Sequence, residues 1–269
     1  MRFFARASRS EVRWSPPAWR GYERYVSLLE GRDLEVEANG LPVPSPRLRV
    51  MVAGTADRTW FLETGRAHVT FLRTLLEDTE RPIDEMDAIL DFGCGCGRML
   101  RWWSDLAGPD VHGCDYNQEL VDWCAKHLGF ARIRSNALSP PLPYENESFD
   151  LLYALSIFTH LTVELAERWL TEIHRVVRPG GLVWFTAHGK ALDDRLSPTE
   201  RAVFAAGEIV VHFPEVEGMN LCSMFWPEAA VRRMLGDRFE IVSRFDPLTD
   251  VATAETAQMP HDAYLVRRV

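Results

Sequence analysis

From Asp87 to about His188, short apolar stretches alternate with segments in which apolar residues recur every three or four positions. The first pattern is typical of buried strands and the second of amphipathic helices. Strands are predicted at AILDF, VHGCD, ARIRSNA, FDLLYAL and LVWFTAH. Helices are predicted between them at GRMLRWWSDL, QELVDWCAKHL and TVELAERWLTEIHRVV. This alternation predicts an α/β fold, a doubly wound parallel sheet with helices on both faces.

The segments on either side of this region have other patterns. Residues 1–50 are predicted to form an N-terminal lid or appendage, with a short helix from Ala18 to Gly31 and an irregular, proline-rich connection after it. Residues 51–269 are predicted to be the main domain, which begins with a helix carrying apolar positions from Phe61 to Leu76. An insertion at about 190–226 is expected over the mouth of the site, followed by a helix at PEAAVRRMLG and strands at RFEIVSRF and AYLVRRV.

Composition and charge narrow the class of partner. The chain has 269 residues, 46% of them hydrophobic, which is enough to bury a sizeable core. Its formal net charge of -9 repels phosphate backbones, so a small-molecule substrate is favoured over a nucleic acid. The apolar runs are too short to span a membrane, and an odd number of cysteines within periodic segments fits a reducing cytoplasm. The sequence is also compatible with a homodimer.

Three glycines follow the first predicted strand, in the motif DFGCGCG. Glycine at positions 93, 95 and 97 allows a sharp turn into the next element and lets a ligand approach bare backbone. A dinucleotide fingerprint would have its third glycine at the position of Arg98. Eighteen residues after Gly97, Asp115 ends the second predicted strand, where a carboxylate can accept both hydroxyls of a ribose. The two features together indicate a nucleoside ligand.

Two cysteines, Cys94 and Cys96, lie between these glycines. A metal site would need further Cys or His ligands at finger-like spacing, and a redox pair normally has two intervening residues. We therefore interpret both cysteines as small residues beside a ligand, and we predict no metal.

The glycine motif, the acidic end of the second strand and the R-P-G-G before the fifth strand resemble the class I S-adenosylmethionine-dependent methyltransferases. The resemblance covers about Asp87 to His188. It implies a Rossmann-like methyltransferase fold, a seven-stranded and mostly parallel sheet with an antiparallel last strand, and S-adenosyl-L-methionine as the cofactor.

The resemblance also implies roles for single residues. The glycine loop would lie against the methionine part and ribose of the cofactor, Asp115 would bind the ribose hydroxyls, and Tyr116 would pack on the adenine face. Asn136 would accept a hydrogen bond from the exocyclic amine of the adenine, and Ser156 would face the cofactor ammonium. The residues implied in cofactor binding are Arg66, Gly93, Cys94, Gly95, Gly97, Asp115, Tyr116, Asn136, Ala137, Leu155 and Ser156.

Histidines supply the candidate catalytic groups. His160 follows the fourth predicted strand, at the edge where open parallel sheets bind ligands, so it is either a general base or a structural residue that caps the next helix. His188 and His212 have the same two interpretations, catalytic or structural. A base is required only where the acceptor loses a proton, as a hydroxyl, thiol or carbon acid does.

The predicted function is methyl transfer from S-adenosylmethionine to a small-molecule acceptor, such as a secondary metabolite or a sugar. One alternative is methylation of a protein or peptide side chain, and another is a protein that binds the cofactor without methyl transfer. SPPLPY resembles the signature of amino-group methyltransferases but lies before the fourth strand instead of at its end. That end, ALSIF, carries no acidic residue, so a catalytic Mg²⁺ is not implied.

Overall fold

The computed structural model describes residues 37–79, 81–250, 253, 256 and 259–269. The helix predicted between Ala18 and Gly31 lies outside these residues. Strands of the main sheet are β3 (Ala88–Phe92), β4 (Asp110–Asp115), β5 (Arg132–Ser135), β6 (Phe149–Ala154), β7 (Val177–Ala187), β10 (Phe239–Phe245) and β11 (Asp262–Arg268). Two short hairpins are formed by β1 (Glu37–Ala38) with β2 (Leu41–Pro42) and by β8 (Val210–His212) with β9 (Ser223–Phe225).

The main sheet has seven strands in the order β10-β11-β7-β6-β3-β4-β5. Neighbouring strands from β7 to β5 are parallel, whereas β11 is antiparallel to both β7 and β10. Every residue of β3 and β6 is buried, as expected for strands that are covered on both faces. The structure therefore confirms the predicted mostly parallel sheet with an antiparallel last strand.

Helices cover the sheet on both faces. Their bounds are α1 (Pro46–Ala53), α2 (Arg58–Glu77), α3 (Gln118–His127), α4 (Val163–Val176), α5 (Pro198–Ala205) and α6 (Glu228–Leu235). On one face α4 buries Trp169 and Ile173 against the sheet, in a core that also holds Phe92. On the other face α2 buries Leu72 and Leu76. The two cores contain residues of β3 and β6, the strands whose carboxyl ends lie at the predicted site.

The predicted helix at GRMLRWWSDL is wrong. This segment forms turns and a short 3-10 helix, Leu100–Trp103. Gly97 has a φ of 79°, in the left-handed region, so an α-helix cannot begin there. The side chain of Arg101 is fully buried and donates to the carbonyl oxygens of Leu41 at 2.8 Å and Pro42 at 3.0 Å. The segment is thus tied to the first hairpin instead of packing as a regular helix.

Two other boundaries also differ from the prediction. The proline-rich connection contains β2 and α1, because Pro46 occupies the first turn of α1, where its missing N–H removes no helical hydrogen bond. The fifth strand of the parallel region begins at Val177, so the R-P-G-G turn lies inside β7, next to a register shift against β6. Within the expected insertion, β8 and β9 pair as an antiparallel hairpin, and β9 bridges to His188 at the end of β7.

Candidate functional site

A cavity of about 190 Å³ lies at the carboxyl ends of β3, β4 and β6. Its floor is the glycine loop, and its roof consists of α1 residues and the loop between β8 and β9. The predicted site residues that line it are Gly93, Cys94, Gly95, Asp115, Tyr116, Asn136, Ala137, Leu155, Ser156 and His160. The roof residues that line it are Met51, Val52, Gly218, Met219 and Asn220.

The glycine loop is held to the end of β4 by backbone and carboxylate hydrogen bonds. The N–H groups of Gly93 and Cys94 both donate to the carbonyl of Cys114, at 2.8 and 2.9 Å. The Asp115 carboxylate accepts from the N–H of Gly95 at 2.9 Å and from that of Asn117 at 2.8 Å. Burial raises the pKa of this carboxyl, and the backbone N–H groups oppose that shift. Each oxygen keeps a lone pair that could accept a ribose hydroxyl.

Gly95 is required by its conformation and by its surroundings. Its φ is 55°, and a Cβ on it would lie 2.6 Å from a methyl group of Val52 in α1. The bare backbone therefore packs directly below Val52 of the roof, and any side chain at this position would collide with it.

The polar group at the end of β5 has an open acceptor. Asn136 donates through Nδ2 to the carbonyl of Ala137 at 2.7 Å, whereas its Oδ1 is buried and has no partner among the described residues. An unpaired buried acceptor is costly, so a donor supplied by a ligand fits this position. Tyr116 is 44% exposed, and its hydroxyl donates to the carbonyl of Gly218 in the roof at 2.8 Å.

A buried acid and a buried arginine, neither of them predicted, also line the cavity. Burial raises the pKa of Asp91 in β3 to about 8, although Tyr153 and Arg98 oppose the shift. Burial also lowers the pKa of the Arg98 guanidinium to about 10. The predicted carboxylate contact Arg66 is exposed on α2 and does not line the cavity, because its helical position faces solvent. The arginine that does line the cavity is Arg98.

Gly97 does not line the cavity either. It packs instead beneath the loop, where its α-carbon faces Leu128 and the sulfur of Cys124. All five cysteines are free and buried. A hydrogen bond with Cys124, together with burial, holds the pKa of the Cys94 thiol well above the usual range, and burial does the same for Cys96. Protonated thiols are poor nucleophiles and poor metal ligands. In the part of the chain that the structure describes, no group of three or more His, Cys, Asp or Glu side chains could hold a metal ion.

His160 is held in one tautomer. Its Nδ1 lies 2.7 Å from the carbonyl oxygen of Cys222, which can only accept, so Nδ1 carries the proton. Burial lowers the pKa of the imidazole, so at neutral pH the ring is uncharged and Nε2 has a free lone pair. The helix cap that was the structural alternative is supplied by Thr162, whose hydroxyl accepts from the N–H of Leu165. His160 is therefore not a capping residue, and it faces the cavity as a potential base.

The other two histidines lie away from the cavity. His188 follows β7 and is buried. The centroid of its ring lies 6.1 Å from that of His160 and 5.2 Å from that of Phe225. His212 in β8 binds Glu200 through Nε2 at 3.0 Å. Neither residue is among those that line the cavity around the glycine loop.

Comparison with known proteins identifies the domain. Residues 90–185 match a family described as a methyltransferase domain. The chain is 33% identical over 37% of its length to malonyl-[acyl-carrier protein] O-methyltransferase of Salmonella typhimurium, and the match covers 38% of that relative. It is 25% identical to the ubiquinone biosynthesis O-methyltransferase of Rhizobium rhizogenes, over 63% of this chain and 68% of that one.

Solved structures show the same fold. Magnesium protoporphyrin IX methyltransferase from Synechocystis, solved with bound S-adenosylhomocysteine, aligns over 93% of this chain and 95% of its own, with 15% identity and a TM-score of 0.53. Residues 90–185 therefore form a methyltransferase domain, and the fold is that of the class I S-adenosylmethionine-dependent methyltransferases. The cofactor that this domain implies is S-adenosylmethionine. The chain spans about two fifths of the length of the Salmonella relative, and the similarity to the Synechocystis structure concerns the fold.

The polar groups that line the cavity match the chemistry of this cofactor. Asp115 offers carboxylate lone pairs where a ribose would lie, and Asn136 offers an unpaired acceptor where an adenine amine would lie. Arg98 offers a guanidinium for the carboxylate of an amino acid, and Asp91 offers a carboxyl group that an ammonium would favour in its ionised form. In the described part of the chain, no helix is long and apolar enough to cross a membrane.

Proposed function

We propose that the protein transfers the methyl group of S-adenosylmethionine to a hydroxyl oxygen of a small-molecule acceptor, such as a secondary metabolite or a sugar. The observation that carries this proposal is the state of His160. Its Nδ1 is fixed on the Cys222 carbonyl, its ring is neutral, and its Nε2 is open beside the cavity. Such an imidazole can remove the proton that a hydroxyl loses when it is methylated.

We infer the same cofactor contacts that the family resemblance implies, with one change. Asp115 would hold the ribose, Asn136 the adenine edge and the Gly93 to Gly95 backbone the methionine part, whereas Arg98 takes the place of Arg66 at the carboxylate. When bound, S-adenosylmethionine would supply a methyl group that its sulfonium sulfur activates towards a nucleophile. The chain would contribute alignment of the two reactants, which can lower the barrier by roughly 7 kcal/mol or more.

Exclusion of water and removal of one proton are the remaining tasks. The roof residues Met51, Val52 and Met219 are apolar and cover the loop, so they would keep bulk water from the reacting atoms. His160 would accept the hydroxyl proton on Nε2, and the new charge would be stabilised by the Cys222 carbonyl on Nδ1. The proton would then pass to solvent.

A small acceptor is supported by the small volume of the cavity and by the net charge of -9, which disfavours nucleic acid. The names of two relatives specify O-methylation, one on a malonyl acyl-carrier protein and one in ubiquinone biosynthesis. Methylation of a protein or peptide, and cofactor binding without transfer, are the competing outcomes. A cytoplasmic location and a homodimer stay predictions.

The test combines an acceptor screen with a tautomer-specific variant. Isotope-labelled S-adenosylmethionine is incubated with a panel of hydroxylated, amino and peptide acceptors, and labelled products are separated. We expect label on a hydroxyl compound, and we expect His160→Gln to lower turnover by about 10²-fold or more while S-adenosylhomocysteine affinity is retained. His174→Gln, on the outer part of α4, is the matched control.

Transfer to amines or peptides alone would refute the hydroxyl acceptor. Cofactor binding without any transfer would support the binding protein instead. Because burial lowers the pKa of His160, the imidazole stays neutral at the ordinary histidine pKa of about 6.5. Activity should therefore fall only at a pH below that value, where the neutral base is lost.

A further inference from the structure

Beyond the cavity, three histidines and a serine from separate segments meet at one edge of the sheet. His160 and Ser156 follow β6, His188 follows β7 and His261 precedes β11. The ring centroid of His188 lies 6.1 Å from that of His160 and 5.0 Å from that of His261. Ligands of open parallel sheets bind outside the carboxyl ends of the strands, which is where this cluster lies.

Ser156 is the strained member of the cluster. Its φ is 58°, which is uncommon for a residue with a side chain and costs about 1–3 kcal/mol. Its N–H donates to Thr186 Oγ1 at 2.8 Å, its carbonyl accepts from Thr159 Oγ1 at 2.9 Å, and its Oγ lies 3.4 Å from His261 Nδ1. Strain that is fixed from several sides in this way is typical of functional sites.

His188 has an unused hydrogen-bonding atom. The residue is only 3% exposed, and its Nδ1 has no partner among the described residues. Burial holds the pKa of the imidazole well below its usual value, so the ring is neutral and can donate or accept one hydrogen bond at each nitrogen. A buried polar atom without a partner costs about 1–3 kcal/mol, which a ligand can recover.

The charges around the cluster disfavour a cationic ligand. Burial is the main cause of the lowered pKa of both His160 and His188, and the Arg195 guanidinium adds a smaller effect in the same direction. Two carboxylates nearby have basic partners, since Glu200 binds His212 at 3.0 Å and Asp262 binds Arg244 through Oδ2 at 2.8 Å. The Oδ1 atom of Asp262 is buried and has no partner among the described residues. Neutral imidazoles with a guanidinium in range suit oxygen groups better than an ammonium.

We propose that His160 and His188 form an acceptor subsite for compounds in which a second hydroxyl or carbonyl oxygen is adjacent to the hydroxyl that is methylated. The proposal rests on the proposed function. His160 Nε2 receives the proton of the first oxygen, and His188 Nδ1 bonds the second. Ser156 and His160 both line the cofactor cavity, so the subsite adjoins the place where the methyl group would lie. His188 is thus a specificity-determining residue.

The experiment measures equilibrium binding, so it requires no turnover. Protein saturated with S-adenosylhomocysteine is titrated by calorimetry with two matched pairs of probes, catechol against phenol and trans-1,2-cyclohexanediol against cyclohexanol. In at least one pair the dioxygen compound should bind about tenfold more tightly, a ratio that one neutral hydrogen bond can supply. Benzylamine should not bind.

Two variants locate the effect. His188→Phe keeps a ring but removes both nitrogens, and it should abolish the tenfold preference without changing S-adenosylhomocysteine affinity, whereas His188→Gln should restore part of it. His174→Phe is the control. Equal binding within both pairs, a preference unchanged in His188→Phe, or no binding of any probe would overturn the subsite.

If His188→Phe does not fold, the same ratio of affinities within each probe pair is measured for His188→Gln. A preference that this variant retains in full would count against the subsite, because the glutamine amide does not reproduce the geometry of the imidazole. Loss of S-adenosylhomocysteine binding in the wild type would instead contradict the proposed function. The two failures are therefore distinguishable.

Discussion

The carboxylate of Asp115, at the end of β4, accepts the backbone N–H of Gly95 in the loop after β3, with 2.9 Å between Oδ2 and N. This hydrogen bond joins the ends of two neighbouring strands directly beneath the roof. The same carboxylate is the proposed ribose ligand, so it shapes the loop and would also bind the ligand that the loop holds.

Replacing Asp115 with alanine should weaken cofactor binding. The variant loses charged hydrogen bonds worth about 1.5–3 kcal/mol, which corresponds to an affinity for S-adenosylhomocysteine about 10–100-fold lower. Calorimetry measures the change, with Asp110→Ala at the opposite end of the same strand as control. Unchanged affinity in Asp115→Ala would show that the ribose assignment is wrong.

Replacing Gly97 with alanine should destabilise the fold without touching the cavity. The backbone there is left-handed, with a φ of 79°, and the new Cβ would lie 2.5 Å from Cδ1 of the buried Leu128. Strain and overpacking together predict a loss of about 2–4 kcal/mol in the free energy of unfolding. Urea denaturation compares it with Gly129→Ala, where nothing lies within 4 Å. Equal stability of the two variants would contradict the prediction.

Binding of the cofactor product should release a proton from Asp91. Burial raises the pKa of this carboxyl to about 8, so at pH 7 it is mostly protonated in the free protein. An ammonium bound nearby would favour the carboxylate, and up to about one proton should leave per ligand bound. Calorimetry with S-adenosylhomocysteine in buffers of different ionisation enthalpy measures this number. The release should vanish in Asp91→Asn, and persistence there would assign it to another group.

His68 should make the fold sensitive to acid. Burial lowers the pKa of this imidazole in α2 to about 3, whereas the unfolded chain has the ordinary value near 6.5. As the pH falls below 6.5, the unfolded state binds a proton at His68 that the native state does not bind, so the free energy of unfolding decreases. The contribution is at most about 1.4 kcal/mol per pH unit.

Urea unfolding at several pH values between 7 and 4.5 tests this contribution. The loss of stability should be shallower in His68→Gln than in the wild type, because glutamine does not titrate. Only the slope is compared, since the variant can differ in absolute stability. Parallel curves for the two proteins would contradict the assignment.

The sequence predicted the sheet and the loop because both depend on local patterns. Apolar runs of strand length define β3 and β6, and the glycine spacing with Asp115 indicates residues that line one cavity. The failed helix after Gly97 depended on a distant contact instead. Arg101 bonds carbonyl groups about 60 residues earlier in the chain, and no periodicity reveals such a partner.

The polar groups that were missed have the same explanation. Arg98 follows the glycine motif, and charged residues at such positions are more often solvated than buried. His261 is 105 residues from Ser156, and only the pairing of β11 with β7 brings the two together. A histidine on its own carries no local signal of its neighbours, so the cluster becomes visible only in the folded chain.

The roof has a kinetic consequence. Asn220 donates to the carbonyl of Met51 at 2.8 Å, and Gly218 is bonded both to Tyr116 and to the carbonyl of His160. A cavity of about 190 Å³ is smaller than the roughly 300–1,000 Å³ that ligand pockets usually offer. A nucleoside that needs more room would therefore fit only if the roof moves, which requires these hydrogen bonds to break. We expect such a roof to make product release slower than the first chemical turnover, and a pre-steady-state burst would be the result that checks it.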